Sequence, residues 1–478
     1  MGRRMRGRGE LELADRREAE RPTWDEARIA RHDLTGPRYT SYPPATHFRP
    51  EVGAAEWARA AAASAARGGP LSLYVHIPFC SRVCYYCACN RIVTANRGVG
   101  APYVSRLERE LALVVAALGE GRTLTQLHWG GGTPTFLAAA ELARLMTAIR
   151  GHFSLVSDDA GEFGIEVHPG DLVPEQVFFL RELGFNRLSM GVQDFDPEVQ
   201  AAVNRHNDPE QVAALLAAAR RAGFHSVSLD LIYGLPRQNR ARFARTLEEV
   251  IALGPDRLSL FNYAHLPHRF KVQRQIRAAE LPSPAEKLAL FRDAWERLAA
   301  AGYRYIGMDH FALPGDELAR AQEEGRLARN FQGYTVRRAD ELLGIGVSAI
   351  GELAGVYFQN HRDIARYNAA VDEGRLPLER GYVRSAEDLL RGRVIEELMC
   401  HFRLDGRALG ERFGVDFWRH FAAERRALEA LAAEGLATFE GEVLRATPLG
   451  RLLVRRLAMV FDAHLAGDGG RERYSRIL

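Results

Sequence analysis

The chain has 478 residues, enough for two to three domains, and its 47% hydrophobic share supports a substantial core, which excludes a wholly disordered protein. Its 64 basic against 61 acidic residues leave a net charge of +3, no electrostatic footprint for nucleic acid, so no nucleic-acid partner is expected. No apolar run approaches the roughly 20 residues of a membrane span, and Met1 to Pro22 is charged with no signal-peptide core, so no membrane partner and a reducing cytoplasm are expected.

Residues 1–22 read as a flexible charged tail, with the arginine-rich Gly2-Arg-Arg-Met-Arg-Gly-Arg8 offset by acids from Glu10 to Glu20. From Leu71, strand-like runs alternate with helical periodicities. They are strand Leu71–Ile77, helix Tyr103–Leu118, strand Leu127–Trp129, helix Ala139–His152, strand Phe163–Val167, helix Pro174–Leu183 and strand Arg187–Val192. Helix Glu210–Ala222, strand Ser226–Ile232, helix Arg240–Leu253, strand Arg257–Tyr263, helix Pro284–Ala301 and strand Tyr305–Met308 continue the series. Gly184, Gly223 and Gly302 stop three helices just before the next strand. This predicts an α/β fold of parallel strands with right-handed crossovers, either an open sheet or a full or partial (β/α) barrel. Its expected extent is residues 71–360. After Gly346–Gly351 the alternation ends, and residues 361–478 read as a mainly helical C-terminal domain. There the hairpin-like Thr438–Leu444 fits a winged helix, a DNA-binding fold in many proteins, but the near-zero net charge favours a structural or lid role.

Four of the five cysteines, Cys80, Cys84, Cys87 and Cys89, follow the first strand within ten residues. The first three form CxxxCxxC, which suits a 4Fe-4S cluster held by three thiolates with one iron left open for chemistry. Four thiolates also make a structural zinc site, but zinc sites usually join two separated CxxC pairs, and the remaining cysteine is Cys400. Cys400 reads as an inert core residue.

In barrels of this kind, active sites lie at the C-terminal ends of the strands. The cysteine loop, Gly130-Gly-Gly-Thr-Pro-Thr135, Glu166 and His168, Gln193 and Asp194, Asp230, and Asn262 to His265 all fall there. Gly130 to Gly132 either lets backbone approach a ligand or makes a bare tight turn. Asp230, inside an apolar strand, needs a buried partner.

Taken together, these motifs resemble the radical S-adenosylmethionine superfamily and, more narrowly, the oxygen-independent coproporphyrinogen III oxidases, from about Asp33 to the C-terminus. The resemblance is carried by Gly36-Pro-Arg-Tyr-Thr-Ser-Tyr-Pro43, Tyr74-Val-His-Ile-Pro-Phe-Cys80, His128-Trp-Gly-Gly-Gly-Thr-Pro-Thr135 and Asn186-Arg-Leu-Ser-Met-Gly-Val-Gln-Asp-Phe195. Asp230-Leu-Ile-Tyr-Gly-Leu-Pro236, Phe261-Asn-Tyr-Ala-His-Leu-Pro267 and Asn330-Phe-Gln-Gly-Tyr-Thr335 complete the set. It implies a partial (β/α) barrel, a 4Fe-4S cluster, two molecules of S-adenosyl-L-methionine, and an electron donor such as flavodoxin or ferredoxin. The implied reaction is anaerobic oxidative decarboxylation of two propionates of coproporphyrinogen III to the vinyl groups of protoporphyrinogen IX, through a 5'-deoxyadenosyl radical. A monomer is the default.

The same resemblance implies that Cys80, Cys84 and Cys87 are the iron ligands. It makes Cys89 a required thiol that is not a ligand, against the simpler reading of a small buried thiol. It implies first-cofactor contacts at Tyr74, Gly131, Glu166 and Ile350. Second-cofactor contacts fall on Tyr86, Gly132, Thr133, Gln193, Arg205, Asp230 and Ala264, although the second molecule equally fits part of the substrate's place. Residues 23–70 are expected to fold over the mouth, with Arg38 as the anchor for a substrate carboxylate. Tyr86 stands where the family often has phenylalanine, Ala88 where it has glycine, and Val167-His-Pro-Gly170 where it has Val-Asp-Pro-Arg. The alternatives are a haem chaperone-like relative or a different tetrapyrrole-modifying radical enzyme. Cys89 and the Gly36 to Pro43 segment argue against the chaperone, whose family generally lacks both.

Overall fold

The computed structural model describes residues 21–337, 339, 341–465, 474, 476 and 477, so nearly all of the expected tail lies outside the described residues. Six parallel strands pair in chain order: β1 (Leu71–Ile77), β2 (Arg122–Gly131), β3 (Glu162–Val167), β4 (Arg187–Gln193), β5 (Ser226–Tyr233) and β6 (Arg257–Asn262). Helices α1 (Gly100–Leu118), α2 (Ala139–His152), α3 (Pro174–Glu182), α4 (Pro209–Ala222) and α5 (Arg240–Leu253) supply the crossovers. The period-two pattern of β1 builds both core and site. Leu71, Leu73, Val75 and Ile77 are completely buried, while Ser72, Tyr74 and His76 alternate with them on the opposite face. Gly184, Gly223 and Gly302 take φ of 102°, 83° and 99°, a region open to glycine without a Cβ penalty, and there the chain leaves a helix for the next strand.

The sheet does not close. Past β6 the chain reverses: β7 (Arg304–Gly307) is an edge strand, joined to β6 through β8 (His310–Ala312) by antiparallel pairing. The expected strand near Tyr305 is therefore present but does not continue the parallel series. At the other edge β9 (Glu341–Ile345) pairs parallel with β1, and β10 (Ile350–Leu353), β11 (Val356–Asn360) and β12 (Leu378–Val383) follow antiparallel. The sheet thus runs on past residue 360 to Val383. β10 and β11 turn through Ala354 and Gly355, both at positive φ (50° and 83°), the geometry of a tight hairpin. Beyond it, the helix Ala386–His401 leads to helices packed on a small antiparallel sheet of Arg403–Asp405, Ala437–Glu440 and Val443–Ala446.

The N-terminal segment is tied to the sheet edge and to the C-terminal part of the chain. Arg455 donates to the carbonyls of Gly36 and Pro37, Tyr39 OH bonds Asp462 at 3.0 Å, and Arg49 bridges to Gly381.

One buried carboxylate makes the frame sensitive to pH. Glu110 on α1 is 1% exposed and accepts hydrogen bonds from Tyr367 OH (2.6 Å), the Gly346 amide (2.8 Å) and Asn360 Nδ2 (2.5 Å). Burial pushes its carboxyl up from 4.5 to about 7. Because the folded value is raised, the stability this group contributes is fully present below pH 4.5 and is lost as pH rises through about 7. Glu110→Gln removes that titration. The Tm of the variant minus that of wild type is expected to increase between pH 5 and pH 8, by a difference of about a few kcal/mol in stability. A pH-independent difference refutes the assignment.

Candidate radical and cofactor site

Strand register and loop anchoring bring the expected residues to one mouth. The loop carrying the cysteines leaves β1 and is bonded back on both sides: Ile92 N to Pro78 O (2.7 Å), Thr133 N to Phe79 O (2.8 Å) and Tyr85 N to Val203 O (3.0 Å). A cavity of about 190 Å³ is lined by Cys80, Cys84, Cys87 and Cys89 together with Tyr86, Gly131, Gly132, Thr133, Glu166, Gln193, Arg205 and Asp230. Beside it, sharing Tyr86, lies a second cavity of about 350 Å³ with Arg38, Ala264, Ile232 and Phe261 in its walls. Of the expected residues, Tyr74 and Ile350 are in neither lining. Tyr74 pairs in register with Gly344, and Ile350 backs onto Gly344 while packing against Phe48 and Tyr357.

All four mouth cysteines are free thiols, and Cys89 is exposed. Their sulfurs do not gather as a zinc tetrahedron requires. With Zn–S near 2.3 Å, zinc needs sulfurs about 3.8 Å apart. Among the described residues, the one trio of candidate ligand atoms lying within 4.8 Å of one another is instead Asp158, Asp159 and His225. The surroundings suit an anionic cluster. Arg205 Nη1 donates to Cys84 Sγ at 3.5 Å, Thr133 Oγ1 to Cys80 Sγ at 3.8 Å, and Arg205 Nε is buried without a partner.

The glycine run is a cradle. A Cβ at Gly132 would meet the backbone of Pro78 and Phe79 at 2.6 Å, and one at Gly131, whose φ is 110°, would meet the His76 ring at 2.5 Å. At Glu166, burial pushes the carboxyl up, but the His128 hydrogen bond (3.0 Å) and the Gly131 amide (3.3 Å) outweigh it and hold the group below its ordinary value. Glu166 is therefore an anion ready for an ammonium group or hydroxyls. Asp230 differs. Burial raises it to about 6 against hydrogen bonds from Ser259 and from Ser189 at 3.2 Å, while the Glu166 charge also raises it. Gln193 is re-aimed by a break in the β4–β5 register and takes φ 72°, strain of a kind found at functional sites.

Two histidines absent from the expected site belong to its frame. His76 Nε2 faces the Asn90 carbonyl at 2.9 Å, an acceptor only, so this nitrogen carries the proton and Nδ1 accepts from Tyr74 OH at 3.0 Å. His76 thereby fixes the backbone one residue beyond Cys89. Tyr74 stacks on His128 at 6.1 Å and 15°, and His128 bonds Glu166. Their positions alternate along β1 and β2 with buried apolar residues, so period-two spacing was the signal that places them inward.

Arg38 meets a partner that local sequence does not reveal. It forms an ion pair with Asp309, between β7 and β8, and its guanidinium lies 5.9 Å from the Phe261 ring centroid. His168 lines the cavity, and its Nδ1 accepts from the Gly170 amide at 3.0 Å.

A thiol trio at the end of β1, set in a partial barrel of parallel strands, defines a radical S-adenosylmethionine enzyme, and the chain matches the radical SAM superfamily model over residues 74–250. The HemN C-terminal domain model matches residues 385–453. The chain is 51% identical to the oxygen-independent coproporphyrinogen III oxidase of Pseudomonas aeruginosa, covering 95% of this chain and 99% of that protein. It is 46% identical to the enzyme of that name from Escherichia coli K12, over 95% and 98%. A solved structure described as coproporphyrinogen III oxidase (HemN) from Escherichia coli, a radical SAM enzyme, superposes with a TM-score of 0.88, 46% identity and coverage of 93% and 99%. The chain belongs to the oxygen-independent coproporphyrinogen III oxidase family.

Proposed function

We propose that this protein converts two propionate side chains of coproporphyrinogen III into the vinyl groups of protoporphyrinogen IX, releasing CO2, in anaerobic haem biosynthesis. The observation that carries this reading is the junction of a thiol-lined cavity with a larger apolar one bordered by an arginine, in a chain akin to these oxidases over nearly its whole length. Cys80, Cys84 and Cys87 would hold the 4Fe-4S cluster, which with S-adenosylmethionine would supply the radical chemistry for hydrogen abstraction from the propionate.

The protein's own residues bind, orient and shield. Arg205 and Thr133 donate toward the thiolates, and Glu166, oriented by His128, receives the cofactor's amino group or ribose. Gly131 lets the main chain approach that ligand, and Tyr74 with Ile350 backs the same side. Tyr86, Gly132, Thr133, Gln193, Arg205, Asp230 and Ala264 serve the second cofactor molecule or the substrate edge. Cys89, exposed at the mouth, acts on the substrate side. Arg38 engages a substrate carboxylate in exchange with, or alongside, Asp309. Residues 23–70 close the mouth, and residues beyond about 384 form the C-terminal domain.

No helix among the described residues is long and apolar enough to cross a membrane. The rest of the reading is a cytoplasmic monomer reduced by a flavodoxin or ferredoxin. The test is anaerobic incubation of cluster-reconstituted protein with S-adenosylmethionine, reductant and coproporphyrinogen III. Vinyl product and CO2 are expected. Stable haem binding without turnover refutes the reading.

A further inference from the structure

The hairpin Ala328–Asn330/Gly333–Thr335 is fixed at several points. Asn330 Nδ2 donates to Gln126 Oε1 at 3.0 Å, Tyr334 OH to the Met399 carbonyl at 2.8 Å, and Thr335 Oγ1 to Glu162 at 2.7 Å. On this rigid hairpin the polar atoms of two side chains are left over. Arg329 Nε and Nη1 and both amide atoms of Gln332 are buried without a hydrogen-bond partner. A buried guanidinium without an anion is costly, and a fold that keeps one has a reason to keep it.

The surroundings indicate which anion is missing. The Arg329 guanidinium lies 5.2 Å from the Tyr334 ring centroid; the His310 ring packs on Tyr334 at 5.2 Å and on Phe261 at 6.2 Å. Phe261 and Arg38 line the 350 Å³ mouth cavity, so packed rings lead from that cavity to Arg329. His310 Nδ1 is likewise buried and unpartnered. Two further guanidiniums lie near Arg329. Arg38 takes the Asp309 carboxylate, and Arg455, bonded to main-chain carbonyls, is lowered to about 9 by burial and then by Arg38, with Arg329 adding to it. Arg329 and Arg455 both feel the Asp309 carboxylate, but Arg38 is the one paired with it. The Gly36–Tyr42 stretch that carries Arg38 also separates the mouth cavity from a 490 Å³ cavity bordered by Arg329, Tyr39 and Phe331. A tetrapyrrole carries its four propionates around the ring, so one held away from the cysteine loop needs a cation on the far side of the mouth cavity.

We propose that Arg329 is a second carboxylate anchor, binding a propionate of coproporphyrinogen that does not react while another faces the cysteine loop. This rests on the coproporphyrinogen reading above. An arginine suits the task because its planar fork pairs with a carboxylate through two parallel hydrogen bonds. Contact with a non-reacting group is equally strong before and during the chemistry, so it sets KM and leaves kcat nearly unchanged.

The test uses cluster-loaded protein and two fluorescent probes, coproporphyrin III and its tetramethyl ester, with wild type, Arg329→Gln and Arg329→Lys. Wild type is expected to prefer the acid. Arg329→Gln should weaken binding of the acid roughly tenfold or more, with Arg329→Lys intermediate and ester binding unchanged. In turnover, KM should rise with kcat within about threefold. Added guanidinium should restore acid binding to the glutamine variant. Equal weakening of acid and ester, or no change in either, overturns the proposal and leaves Arg329 a water-solvated structural residue. If wild type neither binds the acid nor forms vinyl product, the substrate reading itself fails, a result separable from failure of the anchor alone.

Discussion

Cys89→Ser is expected to keep the iron-sulfur absorbance near roughly 400 nm and to lose vinyl formation, whereas serine at Cys80, Cys84 or Cys87 loses both. The division follows from how the four thiols sit. All line one cavity, but Cys89 is exposed, and the hydrogen bond it makes to Cys87 is the foremost influence lowering the Cys87 thiol, to about 6. Its main chain is held independently of any iron: Arg91 donates to the Cys89 carbonyl at 3.3 Å, and His76 donates to the Asn90 carbonyl at 2.9 Å. Serine preserves that backbone and can still donate to Cys87, so three ligands remain and the fourth iron stays open. What serine removes is a soft, oxidisable S–H group at the substrate side, which a hydroxyl does not replace. Iron and sulfide content, absorbance and chromatography of the porphyrin product check the prediction. A Cys89→Ser protein that loses iron would make the site a four-thiolate one and remove its open coordination position.

The parts of this molecule legible in its sequence are those written in local pattern. Helices Ala139–His152 and Arg240–Leu253 have the expected ends, because a 3.6-residue apolar period runs between clear start and stop signals. The cysteine triad is legible for the same reason, since its spacing is local. β10, β11 and β12 were not, because short antiparallel strands with Gly351 and Gly355 among them give neither a long alternation nor a helical period. Contacts formed across the chain were least legible. Arg38 finds Asp309 271 residues away, and Glu110 finds Asn360 250 residues away. No local feature marks Asp309 as a partner, so the sequence pointed to Arg38 as an anchor without showing that it arrives already paired.

Gly132→Ala is expected to lower vinyl formation by roughly a hundredfold or more and to weaken cluster retention, with a stability loss of about 1–3 kcal/mol. The added methyl carbon would lie 2.6 Å from the Phe79 carbonyl oxygen and 2.6 Å from the Pro78 carbonyl carbon. Both are backbone, so no side-chain rotation relieves the contact. The two segments are laced together, Gly132 N to Ile77 O and Thr133 N to Phe79 O, each at 2.8 Å. They can separate only by moving the chain that leads into Cys80. Cys80 is the first thiol of the triad, and Thr133 Oγ1 donates to its sulfur at 3.8 Å, so the displacement reaches the iron ligand and its hydrogen-bond donor together. Gly151 provides the control. It lies in the last turn of α2 with nothing within 4 Å of an added Cβ, so Gly151→Ala should leave cluster content and rate near wild type. Iron content, thermal melting and the vinyl-forming rate, measured on both variants, separate a local lesion at the cradle from a general loss of fold. A Gly132→Ala protein with normal iron and normal rate would mean that the glycine cradle does not position the cysteine loop.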